Sequence, residues 1–254
     1  IGGGLGNDTV SYADVIATTS HGLTNLSGMA INLSSASITA ATVAAAMGGT
    51  IVLGGGSGVA GADLAAGTAG YLATAAGDST TTMVRDTLTS IENVTGSALN
   101  DYIVGSDSDN VITGGAGADV LTGGLGADTF VIGAVSHAGD TILDFNVAQD
   151  RLNIQAVSEG PFYQTGVTLG SDFETKSIFI FTAAEVTITA AAAAIANDAS
   201  VNNNGNGIIV IKSSVTHNVE VYHTTSAANN GTETLLVTLM GVDITQLNST
   251  NIIG

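Results

Sequence analysis

Asp101, Asn110, Asp119 and Asp128 recur at nine-residue intervals, each standing sixth in a block that opens on a turn and closes on β-formers. The blocks are Gly96-Ser-Ala-Leu-Asn-Asp101-Tyr-Ile103-Val, Gly105-Ser-Asp107-Ser-Asp-Asn110-Val-Ile112-Thr, Gly114-Gly115-Ala116-Gly117-Ala-Asp119-Val-Leu121-Thr and Gly123-Gly124-Leu125-Gly126-Ala-Asp128-Thr-Phe130-Val. Glycine at the first, second and fourth places admits backbone conformations that other residues resist, and a large apolar residue stands eighth. Two blocks make one coil, so that turns two blocks apart stack on one edge. Stacked strands lie about 4.8 Å apart and calcium bonds oxygen at about 2.4 Å. An ion midway between two stacked turns therefore meets both. Its ligands would be the carboxylates of Asp101, Asp119 and Asp128 and the carbonyls of Gly114, Gly115, Ala116, Gly117, Gly123, Gly124, Leu125 and Gly126. Asn110 is the neutral member of the series, with Asp107 and Asp109 near enough to compensate. A further copy, Gly3-Gly-Leu-Gly-Asn-Asp8-Thr-Val10-Ser, opens the chain and adds Asp8 as a ligand. The rival reading is a metal-free array whose aspartates serve turn geometry alone.

A nonapeptide with this pattern resembles the repeat-in-toxin (RTX) family, a calcium-binding β-helix repeat; the third and fourth blocks carry every glycine and the aspartate of the pattern. The resemblance implies an all-β chain: a calcium-bound right-handed parallel β-roll followed by a β-rich C-terminal cap with a short helix. Gly139-Asp140-Thr-Ile-Leu-Asp144-Phe145 and Asp150-Arg-Leu-Asn-Ile154 resemble the closing segment of such rolls, which implies Asp140, Asp144 and Asp150 as ligands of a terminal calcium site.

Charge and composition agree with cation binding. The 254 residues include 22 acidic and only 4 basic side chains, for a net charge of −18. Such a chain is a poor partner for nucleic acid, whose phosphates need Lys and Arg, or for an anionic membrane, and it repels itself when compact unless cations intervene. Cysteine is absent, so no disulfide framework or thiolate metal site exists, and bound calcium would be the staple instead. No apolar run reaches the roughly 18 residues of a transmembrane helix. A start at Ile1, inside a repeat and without Met, points to a fragment or processed product of something longer.

The remaining elements must position or cap the array. Residues 1–158 are assigned to the roll, interrupted by an Ala/Gly-rich insertion at about 12–90. Within that insertion Ala30–Leu33 reads as a strand and Thr39–Met47 as a helix. Residues 159–254 form the C-terminal unit. There Thr182–Ser200 reads as an Ala-rich helix, Gly207–Lys212, Val219–His223 and Thr234–Met240 as strands, and Asp243–Leu247 as a short capped helix. This order resembles the region that RTX proteins present to a type I secretion apparatus.

A catalytic constellation is missing from the sequence. Neither His-Glu-x-x-His nor Gly-x-Ser-x-Gly occurs, so the zinc-protease and lipase centres of RTX enzymes are not here. The four histidines, His21, His137, His217 and His223, are scattered, although His217 and His223 could meet across a strand pair. Gly56-Ser-Gly58-Val-Ala-Gly61 spells a dinucleotide fingerprint by letters only, without a surrounding βαβ pattern. The expectation is a non-enzymatic, secreted module on the bacterial cell surface: a structural or adhesive part of an S-layer, filament or adhesin that folds on calcium after type I secretion and can self-assemble. The alternative is the noncatalytic secretion and folding module of an RTX protease, lipase or alginate epimerase.

Overall fold

A computed structural model describes residues 1–15, 26–47, 52–53, 63–73, 86–134, 137, 139–155, 163–164, 178–196, 207–224, 233–248 and 250–253. The described residues are mostly β, with parallel sheets and two short α-helices among them. It divides into two compact units, Ile1–Val131 and Ile132–Gly254, so the division falls before the closing segment and not at the 158/159 boundary expected from composition.

In the first unit the nine-residue period becomes an alternation between two sheets. β1 (Thr9–Ser11), β6 (Asn93–Thr95), β8 (Val111–Thr113) and β10 (Thr129–Ile132) pair in parallel in one sheet. β2 (Leu26–Asn32), β7 (Tyr102–Val104) and β9 (Val120–Thr122) pair in parallel in the other. Every strand of the matched register occupies the seventh to ninth places of its block, and successive side chains point to opposite faces. The eighth residue is the inward one in each case: Val10, Val94, Ile103, Ile112, Leu121 and Phe130 are all buried.

The insertion is shorter than the sequence indicates. Strand β2, which composition places inside it, is already in register with β7, Ala30 facing Tyr102 and Asn32 facing Val104. The intervening segment supplies α1 (Ala40–Ala46), β3 (Val52–Leu53), β4 (Thr68–Ala73) and β5 (Asp86–Thr87). Strand β4 runs antiparallel to β2 and in turn pairs antiparallel with β3 and β5, extending the second sheet at that end. Alanine favours the helix, and the Thr39 hydroxyl caps it by accepting the Thr42 N–H at 3.1 Å. Val43 of α1 and Leu64 pack with Ala30, Tyr102 and Val120, covering the outer face of the β2–β7–β9 sheet. On the matching face of the other sheet Val111 is 43 % exposed.

The second unit contains β11 (Asp140–Ile142), β12 (Arg151–Ile154), β13 (Tyr163–Gln164), β14 (Ile178–Val186), α2 (Ile188–Ala196), β15 (Gly207–Ser213), β16 (Val219–Thr224), β17 (Glu233–Leu239) and β18 (Ile252–Ile253). A 3-10 turn at Ile244–Gln246 is capped by Asp243, as its sequence indicates. β13, β14 and β15 pair in parallel, β15, β16 and β17 antiparallel, and β17 pairs in parallel with β11. β12 pairs in parallel with β18. The expected helix from Thr182 begins later: residues 178–186 are a strand, because Ile178 to Phe181 pair with Ile208 to Ile211 in a buried sheet that outweighs the helix preference of two alanines. The helix begins after Thr187, whose hydroxyl accepts the Ala190 N–H at 3.2 Å. Its Ala191 and Ala192 pack on Phe181, Ile209 and Ile211.

Candidate metal centre

The turns of the first unit stack as closely as glycine permits. Gly115 and Gly117 adopt φ of 111° and 120°, and a Cβ on Gly115 would lie 1.9 Å from the Ser97 carbonyl oxygen of the turn stacked upon it. Direct hydrogen bonds join the turns: Ala116 N–H donates to the Ser97 carbonyl at 3.1 Å and Gly96 N–H to that of Thr113 at 2.8 Å.

The sixth-place side chains form a ladder inside this stack. Asp119 Oδ1 accepts the Asp101 N–H at 2.8 Å, and Asp128 Oδ1 accepts the Asn110 N–H at 2.9 Å, each across 18 residues. Asp101 Oδ1 accepts the Met29 N–H at 2.6 Å and the Ser97 hydroxyl at 2.7 Å, while its Oδ2 accepts the Ser97 N–H. Asn110 reproduces part of the pattern with its amide, accepting the Ser106 N–H at 2.7 Å and donating to the Glu92 carbonyl at 2.6 Å. Asp101, Asn110, Asp119 and Asp128 are all buried. First-place glycine makes room for them, since a Cβ on Gly114 or Gly123 would lie 2.2 Å from Oδ2 of Asp119 or Asp128.

Burying an ionised carboxylate is costly unless something compensates it. Burial pushes the Asp101 carboxyl up to about 6, although hydrogen bonds from Ser97 and Met29 pull the other way. Asp101 and Asp119 occupy neighbouring coils on one edge, so their charges also oppose each other. A divalent cation between coils would relieve both penalties.

The donors present fit calcium. They are hard oxygens, carboxylate and carbonyl, and Asp8 offers a buried Oδ2 with no hydrogen-bond partner. Among the described residues no three histidine or acidic side chains converge as a metal cluster. An ion held between these turns would have to draw on main-chain carbonyls as well as on carboxylates.

The structure separates the other candidates. Asp107 is exposed, and its neighbour Asp109 accepts the Ala127 N–H at 2.8 Å. In the second unit Asp140 and Asp150 are buried and Asp144 is exposed. Asp150 closes a local turn by accepting the Asn146 N–H at 2.8 Å, a role in geometry that its sequence context leaves open.

The family model of the RTX calcium-binding nonapeptide repeat matches in four copies over residues 95–130. Residues 95–130 are RTX calcium-binding repeats. Comparison of the chain with curated proteins gives no significant match. The RTX match covers the ladder from Asp101 to Asp128 and leaves out Asp8 and Glu92, although Glu92 Oε2 accepts the Asp8 N–H at 2.9 Å in the same arrangement. Glu92 is a residue the motif misses, because glutamate replaces aspartate and no glycine precedes it. Ser97 is another, a second-place serine whose hydroxyl reaches its own block's aspartate.

Among the described residues the histidines join no cluster of three or more metal-ligating side chains. His217 is exposed, with Nδ1 2.9 Å from Glu185 Oε2, and Lys212 Nζ lies 3.1 Å from Oε1 of the same carboxylate. His223 is buried on β16, and neither of its ring nitrogens has a hydrogen-bond partner. His21 and the Gly56–Gly61 loop lie outside the described residues.

Proposed function

We propose that this chain is a secreted, calcium-loaded structural module whose repeats wind as a right-handed parallel β-roll and whose role is in a bacterial cell-surface assembly, such as an S-layer, filament or adhesin. The observation that carries this reading is the buried ladder of sixth-place carboxylates, an arrangement that is unfavourable until a cation neutralises it. Calcium that binds only the ordered state adds its binding free energy to folding, so the bound ion serves architecture rather than turnover. RTX repeats are typical of secreted bacterial proteins, which supports an extracellular setting. Low free calcium inside the cell would keep the acidic repeats unfolded for passage through a type I channel, with residues 159–254 as the exported signal and cap. Among the described residues no helix is long and apolar enough to cross a membrane. The Thr-, Ser- and Asn-bearing outer face of the β1–β6–β8–β10 sheet suits packing against further copies.

Circular dichroism and electron microscopy of the purified chain test this together. In chelator the β signal of the repeats should fall, returning with calcium but little with magnesium, which resists irregular carbonyl-rich sites; ordered sheets or filaments should appear only with calcium. A spectrum unchanged after thorough chelation would overturn the calcium role. Calcium-dependent folding without any assembly would overturn the structural role.

A further inference from the structure

The matched repeats do not mark the beginning of the array. Thr87–Thr95 lies one nine-residue period before Gly96 and has no glycine, yet its backbone matches the repeat at the fourth place and at the strand places. Asn93–Thr95 falls at the strand positions, and Val94 faces Ile112 in parallel register with β8. Val94, at the eighth place, is 1 % exposed. Ser90, at the fourth place, has φ of 53°, a left-handed conformation at the place where Gly6, Gly117 and Gly126 have φ of 117°, 120° and 109°. A serine adopts that region only when its surroundings hold it there.

Glu92 stands sixth in this segment and does what the repeat aspartates do. Its Oε2 accepts the Asp8 N–H at 2.9 Å. The same bond recurs from Asp101 to Asp119 at 2.8 Å and from Asn110 to Asp128 at 2.9 Å. The segment is also tied to the coil that follows: the Glu92 carbonyl accepts from Asn110 Nδ2 at 2.6 Å, and Asn93 Oδ1 accepts the Val111 N–H at 2.8 Å. On its other side Thr9, Val10 and Ser11 pair with Asn93, Val94 and Thr95, and a Cβ on Gly3 would lie 2.1 Å from the Ser90 carbonyl oxygen. In sequence these partners stand far apart, Asp8 and Glu92 being separated by 84 residues.

We propose that Thr87–Thr95 is a concealed block of the repeat array, and that Glu92 is the positioning residue that seats the remote N-terminal repeat Gly3–Ser11 onto it. The array thus reaches back at least to Gly3 and is not confined to the repeats from Gly96 onward, with the segment that carries α1, β3 and β4 inserted into it. Resting on the calcium reading above, a consequence follows: ordering of the matched repeats by calcium is transmitted through Glu92 to the N-terminal repeat, closing the ends of the inserted segment together.

Hydrogen exchange read by mass spectrometry on the full chain in saturating calcium tests the seating. Glu92→Ala should speed exchange at Asp8–Ser11 by tenfold or more while residues 111–131 keep their protection. Glu92→Gln, which retains an oxygen acceptor, should restore most of the protection at 8–11. Unchanged protection at 8–11 in Glu92→Ala would overturn the proposal, as would a Gln variant no better than Ala. Should Glu92→Ala unfold the whole array, Gly3→Ala unseats the same repeat from the opposite side, and its failure to speed exchange at 8–11 would equally overturn it. Repeating the wild-type measurement in chelator separates the two readings: protection of 96–131 that survives chelation removes the calcium coupling and leaves the comparison at Glu92 standing or falling by itself.

Discussion

The main-chain N–H of Asp101 donates to Oδ1 of Asp119 at 2.8 Å, across one full coil. One carboxylate oxygen thus serves the backbone of the neighbouring coil, so Asp119 holds the stack in register as well as supplying charge to it. Asn110 and Asp128 repeat the relationship at 2.9 Å, with the amide of Asn110 taking the place of a carboxylate in its own block. The turn-geometry and calcium readings of the sequence are therefore not exclusive: the aspartates that bond to the backbone of their own or the neighbouring coil also carry the charge that a cation would neutralise.

Asp119→Ala and Asp128→Ala should each weaken calcium binding more than Asn110→Ala. The first two remove a charge and an acceptor for a buried N–H, a loss of about 1–3 kcal/mol for the hydrogen bond alone; the third removes no charge. Titration calorimetry measures the order. Equal losses at all three positions would contradict the ligand assignment.

Gly115→Ala should destabilise the first unit more than Gly4→Ala. Both glycines have positive φ, 111° and 100°, so each substitution carries a backbone cost of about 1–2 kcal/mol. Only Gly115 adds a collision, 1.9 Å from Ser97 O, whereas a Cβ on Gly4 meets nothing within 4 Å. Thermal unfolding at fixed calcium should rank the variants in that order, and equal shifts would mean that the stacked turns are looser than described.

The second unit should lose stability in mild acid through His223. Burial holds its imidazole below the usual range, and neither ring nitrogen has a partner to accept a proton's hydrogen bond. The unfolded chain therefore takes up a proton near pH 6.5 while the folded chain does not. Above that pH the contribution is constant; as pH falls below it toward the depressed folded value, stability declines by up to about 1.4 kcal/mol per pH unit. His223→Leu should flatten this part of the acid limb in denaturant titrations run at several pH values. Parallel limbs for wild type and variant would show that other groups govern the acid response.

Much of the first unit was legible in the sequence because a nine-residue period constrains the backbone locally. Glycine places mark the turns, the eighth residues Ile103, Ile112, Leu121 and Phe130 mark the inside, and the sixth residues mark the ladder. The same local rules identify the helix capped by Thr39 and the 3-10 turn capped by Asp243. Tertiary structure decided what local rules do not encode. Glu92 joins the ladder because strand pairing to β1 and β8 holds Ser90 and Glu92 in place without any glycine signal. Tyr102 and Val120 are buried because an inserted helix lies over them, a contact between segments whose separation leaves no periodic trace. Residues 182–186 are strand because a buried neighbouring sheet offers more than helix propensity does, and His223 is buried on β16, which lies between β15 and β17. The nonapeptide period reports the bonds each turn makes with itself; which distant segment completes each coil depends on packing across the whole unit.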